Sequence, residues 1–323
     1  MMSASQGLAR RARWRIADIV FWVLAFGALL LPPGKHLLLN EVAILALFAL
    51  SLDLILGYAG IISLGHAALF GAGAYAAGIL CKLVTPDPLA GLAVAVVAAA
   101  VLGFVTSFLV LRGTDLTRLM VTLGVALVLH EVANALPQWT GGADGLQGMA
   151  VGPLLGRFDF DLYGRTAYAY SLTTLFVLAL VARRVVHSPF GLSLMAIRRN
   201  PLRAAALGVP VPARVIAAYT LAAAYAGAAG ALLAQTTAFV SLDVFEFHRS
   251  ADVLLVLIIG GAGWLYGGIA GAILYKVLQD GIATLTPHYW QFWIGLFLVV
   301  FVMIGRQRFV GGLYGLLAMV RRR

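Results

Sequence analysis

Between Ile16 and Gly305, apolar stretches of helix length follow one another, most of them separated by only short polar interruptions. Crossing the hydrocarbon core of a bilayer takes roughly 20 apolar residues per helix, and a water-soluble fold cannot hide so many such stretches in series. The composition agrees: 62% of residues are apolar and 11% are charged, whereas a soluble domain carries about 25% charged residues. In lipid only helices or closed barrels satisfy every backbone polar group. Barrel strands would alternate over about ten residues, which these segments do not do. The chain is therefore expected to be an all-α integral membrane protein. The segment from Ile16 is followed by further spans rather than by a small-residue cleavage site, and it reads as a retained helix.

Ten spans are read, at roughly 16–32, 38–57, 66–84, 89–111, 116–136, 166–187, 214–236, 252–262, 267–285 and 289–305. The eighth is too short to cross alone, so one span from Ala251 to Tyr275, giving nine crossings, is the alternative. Charge decides between them. With ten crossings and an inner N-terminus, 17 of the 23 Lys and Arg residues fall inside: Arg10, Arg11, Arg13, Arg15, Arg112, Arg118, Arg183, Arg184, Arg198, Arg199, Arg203, Arg214, Arg306, Arg308, Arg321, Arg322 and Arg323. Nine crossings would put the last five outside, against the positive-inside tendency. The expectation is one transmembrane domain over 1–323, with basic cytoplasmic tails at 1–15 and 306–323. Its long polar stretches are 137–165 outside and 188–213 inside.

The net charge of +10 does not point to nucleic acid, because the basic residues sit in short clusters between apolar runs and no long aromatic-basic patch occurs. The single cysteine, Cys81, can form neither an internal disulfide nor a metal framework and reads as a packing residue. No G-x-x-x-x-G-K-[ST] occurs, so the chain does not hydrolyse nucleotide itself. HExxH, G-x-S-x-G and paired cysteines are missing too, which leaves an enzyme reading without a nucleophile or a metal cage.

With the first and sixth spans set aside, two sets of four run in opposite senses, and an inverted repeat of four-helix units is expected. Each set has a glycine-rich break, Gly57 to Gly65 and Gly260 to Gly268. Inverted repeats with broken helices are a transporter signature, because irregular backbone is tolerated where it lines a polar path. Gly57, Gly60, Ser63, Gly65, His66, Gly260, Gly261 and Gly263 are the candidate path residues. Ser63 is placed to cap the next helix, and His66 reads as a hydrogen-bonded structural histidine. The Gly71-x-Gly73-x-x-Ala76 pattern reads as small-residue packing rather than a dinucleotide fingerprint, since no strand precedes it. So does the series Gly263, Gly267, Gly271. Four acids fall within spans, Asp53, Glu131, Asp252 and Asp280, with Glu41 nearer an interface. Lys276 and Asp280 share a helical face and are expected to neutralise each other. Glu131 follows His130, where a proton relay competes with structural pairing.

The inner loop carries a helix signal of its own. Asn200 is a good N-cap, Pro201 suits the first helical position, and Gly208 fits a left-handed stop. A helix of about eight residues results, suited to a docking surface; a basic anchor on anionic lipid is the plainer alternative.

The block Ser63-Leu-Gly-His66 with Gly71-Ala-Gly-Ala-Tyr75 resembles the signature of the LivM-type permeases of branched-chain amino-acid ABC importers. Three further blocks agree in order: Thr140-Gly-Gly-Ala-Asp-Gly-Leu146, Ala204-Ala-Ala-Leu-Gly208 and Gly260-Gly-Ala-Gly-Trp-Leu-Tyr-Gly267. The resemblance covers about residues 40–305. It implies a type II importer-like permease of the bacterial inner membrane that pairs with a homologous permease, two cytoplasmic ATPases and an extracytoplasmic solute-binding protein. ATP and magnesium would belong to the ATPases. In such permeases the loop with the Ala-Ala-x-x-Gly core enters a cleft of the ATPase, which implies coupling roles for Arg198, Arg199, Asn200, Arg203, Ala204, Ala205, Leu207 and Gly208. Relatives often carry Glu where this chain has Pro201. Gly141, Gly142 and Asp144, in the long outer stretch, are the implied docking residues for the binding protein. The implied solutes are branched-chain amino acids or related small polar molecules such as urea, amides or aromatic acids. A secondary transporter using the buried acids is the alternative from another class.

Overall fold

The computed structural model describes residues 16–304 apart from 33, 114 and 288; the two expected basic tails lie outside the described residues. The order is α1 (Ile16–Gly27), α2 (His36–Asp53), α3 (His66–Leu83), α4 (Pro88–Val110), α5 (Asp115–Ala135), the single turn α6 (Pro137–Thr140), α7 (Arg165–Val186), α8 (Pro189–Arg199), α9 (Pro201–Ala206), α10 (Val211–Thr237), α11 (Phe247–Gly260), α12 (Gly267–Leu285) and α13 (Trp290–Ile304). A 3-10 turn extends α1 to Leu30, and a π-helical turn extends α2 to Ala59. Among the described residues β structure is limited to isolated bridges, one of them joining Leu146 to Val240.

Among the described residues, six helices are long and apolar enough to cross a bilayer: His36–Ala59, His66–Leu83, Pro88–Val110, Leu116–Ala135, Arg165–Val186 and Val211–Thr237. Ile16–Leu30 is apolar but shorter. Helices also cover the last three expected spans. Of these, α11 has 14 residues, or about 21 Å at 1.5 Å per residue, short of the ~30 Å hydrocarbon thickness.

The core is built on α2 and α10, whose small residues let other helices come close. A Cβ on Gly73 of α3 would lie 2.4 Å from the Gly227 Cα of α10, and one on Gly103 of α4 would lie 2.2 Å from the Ala223 Cβ. This is packing by small residues, which brings backbones together where water offers no driving force. It accounts for the Gly71-x-Gly73 pattern: Gly73 meets α10, and Gly71 meets the Phe245 ring. Polar side chains then fix the register. Ser171 Oγ donates to Asn40 Oδ1 (2.6 Å), and Asn40 Nδ2 donates to Thr236 Oγ1 (3.1 Å). Tyr170 OH donates to Gln235 Oε1 (3.0 Å), and Gln235 Nε2 donates to the Pro88 carbonyl (2.8 Å). These bonds join α2, α4, α7 and α10.

The bundle has two distinct ends. At one, the 137–164 segment covers the helices: Leu146 bridges Val240, and Gly164 sits against Leu37. At the other lie α8, α9 and both glycine breaks, with Gly60 against Arg198. The breaks after α2 and α11 touch each other at this end, as the ten-span reading expects, since each follows an even-numbered span. One expectation is corrected here. Lys276 does not turn to Asp280; its Nζ donates to Glu41 Oε2 of α2 at 2.8 Å, because α12 runs antiparallel to α2 and presents Lys276 across the gap, while Asp280 is exposed.

Candidate translocation and coupling site

The first break begins with the π-helical turn of α2, where one extra residue per turn shifts the backbone hydrogen bonds and ends the helix at Gly60 (φ +75°). Non-helical chain follows to Gly65. The second break runs from Gly261 to Tyr266 and holds two positive-φ glycines, Gly261 (+96°) and Gly263 (+83°). Such backbone favours glycine.

Asp53, in the last turn of α2 and 1% exposed, accepts the Gly263 N–H at Oδ1 (2.7 Å). The approach requires Gly57, since a Cβ there would fall 2.0 Å from Asp53 Oδ1 and 2.5 Å from the Gly263 nitrogen. Arg198 of α8 donates from Nη1 to the Gly57 carbonyl, and that nitrogen also lies against Gly263. One residue of the loop helix thus holds both breaks. The separations are 141 and 210 residues, so no local pattern signals these contacts. A second clamp adjoins them: Arg183 of α7 donates to Asp18 of α1 (2.9 Å) and to the Tyr266 hydroxyl (3.3 Å) at the end of the second break.

Of the expected path residues, Gly60 and Gly263 are exposed, whereas Gly57, Ser63, Gly65, His66, Gly260 and Gly261 are buried. His66 is fully buried; its Nε2 pairs with Ser51 Oγ at 2.8 Å, and its ring stacks on Phe48. This is the structural histidine that the sequence predicts. Ser63 does not cap α3, whose N-cap is Gly65 with no capping side chain. Gly65 packs against the Thr122 carbonyl of α5. Gly263 lies in the break rather than on a helix, so only Gly267 and Gly271 of the expected series pack, against the Gly261 and Val256 carbonyls.

In the loop, Asn200 Oδ1 accepts the Arg203 N–H at 2.9 Å, Pro201 starts α9, and Gly208 closes it at φ +85°. The helix has six residues rather than eight, because the chain leaves helical geometry at Leu207. Ala204 is buried and holds α9 down, while Leu202 and Leu207 are 82% and 78% exposed. A recess of about 560 Å³ between α8 and α9 is lined by Leu192, Met195, Arg199, Asn200, Arg203 and Leu207. Arg199 and Arg203 make it basic. Ala205 lies on the exposed side of α9.

At the opposite end, Gly141 (φ +78°) and Gly142 (φ +57°) shape a turn that leaves Asp144 exposed. A Cβ on Gly141 would stand 2.0 Å from the Gly145 carbonyl. Asp161 anchors the same segment, accepting the Arg165 and Thr166 N–H groups at 3.2 and 2.8 Å. Burial alone would raise its pKa, but these backbone donors hold it below the usual carboxylate range. That anchoring is complete above the ordinary carboxylate pKa and is lost as pH falls through the lowered one.

Glu131 is exposed on α5, and Asp252 accepts from the Tyr275 hydroxyl at 2.8 Å. No cluster of metal-binding side chains occurs among the described residues.

Comparison with known proteins fits this architecture. A family model described as "Branched-chain amino acid transport system / permease component" matches residues 36–304. The high-affinity branched-chain amino acid transport system permease protein LivM of Escherichia coli (strain K12) is 28% identical over 302 residues, 85% of this chain and 68% of its own. The protein of the same name from Salmonella typhimurium is equally similar. The galactose/methyl galactoside import permease protein MglC of Salmonella typhimurium is 25% identical, over 63% of this chain and 62% of its own. No solved structure matches significantly.

Proposed function

The chain belongs to the family of branched-chain amino acid transport system permease components, and on that premise we propose that it forms one half of the membrane path of an ABC importer for branched-chain amino acids or related small polar solutes. It is a transmembrane transport permease. Its proposed partners are a second, homologous permease, two ATPases at the α8–α9 end and a solute-binding protein at the 137–164 end. The α8–α9 end is placed in the cytoplasm, as are both termini. ATP and magnesium act in the ATPases, and this chain uses no cofactor of its own.

The observation that carries the reading is the bond from Arg198 to the Gly57 carbonyl. α9 presents exposed leucines and a basic recess outward, and α8, packed beneath it, grips both glycine breaks. A push on α9 therefore reaches the point where α2 and α11 lose helical geometry, without passing through flexible chain. The breaks flank the path, and displacing them switches access from one side to the other. The carboxylates of a secondary transporter would need to face the path, whereas Asp53 is occupied by a backbone N–H and Asp252 by Tyr275.

Leu202→Ser with Leu207→Ser tests the docking. Both side chains are exposed, so folding should be unaffected. Co-purification of the ATPases should drop at least several-fold; full retention of the ATPases and of uptake would place their docking surface elsewhere.

A further inference from the structure

A groove of about 870 Å³ lies on the flank of the bundle between α4, α7 and α10. α7 contributes a stripe at helical spacing, from Arg165 through Ala169 and Thr173 to Val177 and Leu178, and α4 faces it with Leu92 and Val96. Arg165 begins the membrane-spanning helix. From there to Leu178 the groove descends about 20 Å at 1.5 Å per residue, whereas the hydrocarbon core is ~30 Å thick. It therefore runs from one membrane interface to near the middle of the bilayer. Val177 on its wall and Leu155 and Phe158 at its mouth are at least half-exposed, so the groove opens sideways toward lipid.

Polarity is confined to one end. Thr173 and Thr174 turn their hydroxyls back to the Ala169 and Tyr170 carbonyls, at 2.7 and 2.9 Å. The Tyr170 hydroxyl is held by Gln235, so the deeper wall offers a ligand only hydrocarbon. Arg165, at the top, is the charged residue of the lining. Asp161 already accepts the backbone N–H groups of Arg165 and Thr166. The Arg165 guanidinium has no ion-pair partner among the described residues, and it is the group a ligand would meet. Its fork of N–H donors matches a phosphate. Leu162 and Tyr163, just before it in the chain, are exposed, as suits side chains that settle at headgroup level rather than in water. An apolar groove one leaflet deep, with a cation at that level, fits an amphiphile charged at one end. A neighbouring protein helix would instead cross both leaflets.

We propose that this groove is a binding site for a single membrane phospholipid. Arg165 takes the phosphate, an acyl chain lies along the α4–α7 wall, and Leu155 and Phe158 cover the glycerol end. The phosphate is the group recognised, so the headgroup beyond it is not selected. Seated there, the lipid braces the turn closed by the Leu154–Phe158 bridge against α4 and α7. The site goes beyond the importer reading and does not depend on it; it requires only the membrane-spanning fold.

The test takes the full chain, stripped of lipid in detergent, and follows lipid addition by native mass spectrometry. The probes are phosphatidylglycerol, phosphatidylethanolamine and diacylglycerol with the same acyl chains. Each phospholipid should give one saturable adduct, and diacylglycerol, which lacks the phosphate, none. Arg165→Gln should weaken the phospholipid adduct at least tenfold, Arg165→Lys should weaken it less, and Ala169→Trp, which fills the groove, should abolish it. Should a variant fail to fold, the comparison of lipids on the unaltered chain decides alone. Adducts that never saturate, diacylglycerol binding equal to phospholipid binding, or full binding by Arg165→Gln would mean annular lipid only and overturn the site. A photoreactive benzoylphenylalanine in place of Val177 identifies the occupant in intact cells. The expected product is an adduct of phospholipid mass that falls several-fold with Arg165→Gln. A crosslink to another protein chain would make the groove a protein interface and overturn the proposal, as would a lipid adduct indifferent to Arg165→Gln.

Discussion

Asp53 is a carboxylate at 1% exposure whose Oδ1 is 2.7 Å from the Gly263 nitrogen. Its role separates the two transport readings, because a structural acceptor needs an oxygen whereas a proton carrier needs an acid. Asp53→Asn keeps an oxygen for the Gly263 N–H and should retain folding and most transport. Asp53→Ala strands that N–H and should cost about 1–3 kcal/mol, read as a lower melting temperature in nanodiscs. Loss of transport in Asp53→Asn at an unchanged melting temperature would make the acid a carrier. Arg198→Gln should instead reduce stimulation of the ATPases by loaded binding protein, with the spans still inserted; stimulation equal to wild type would reduce Arg198 to packing. The sequence places both residues correctly, Asp53 as a buried acid and Arg198 in the basic loop. Their joint contact is invisible there, because nothing local encodes a partner more than a hundred residues away. His66 is the opposite case: a histidine among small apolar residues predicts burial, and Ser51 then provides the hydrogen bond.

At the scale of elements, the loop 200–208 and the small-residue contacts are the legible parts. A cap, a proline and a glycine encode α9 chemically, so its ends follow from residue types alone. The space around Gly208 is open, so Gly208→Val acts through backbone conformation, disfavouring the left-handed stop by about 1–2 kcal/mol. Coupling of ATP hydrolysis to the loaded binding protein should fall while the melting temperature holds; full coupling in this variant would remove α9 from transmission. Gly73→Leu probes packing instead. Its Cβ would meet the backbone of Gly227 at 2.4 Å, and overfilling of this kind costs about 1–3 kcal/mol or more, seen as a lower melting temperature or poor insertion. The expected pairing of Lys276 with Asp280 fails at this scale. Spacing of four along one helix gives proximity, but α2 offers Glu41 across the gap, and helix packing outranks spacing.

For the whole molecule, charge asymmetry and apolar run length carry the membrane reading, and the ordered motif blocks carry the family. An inverted repeat is a matter of three-dimensional placement that spacing along the chain does not establish, whereas the ten-span count does put both breaks at one end, since each follows an even-numbered span. The orientation proposed from the arginines has its own check: reporter fusions within 200–208 should report the cytoplasm, and those within 141–164 the opposite side.

The central claim is that this chain provides a path driven by ATP hydrolysis in its partners. The direct measurement is leucine uptake into proteoliposomes holding the chain with its permease, ATPase and binding-protein partners. Uptake is predicted to require ATP and loaded binding protein and to ignore an imposed proton or sodium gradient. Uptake driven by such a gradient through this chain without ATP would contradict the account.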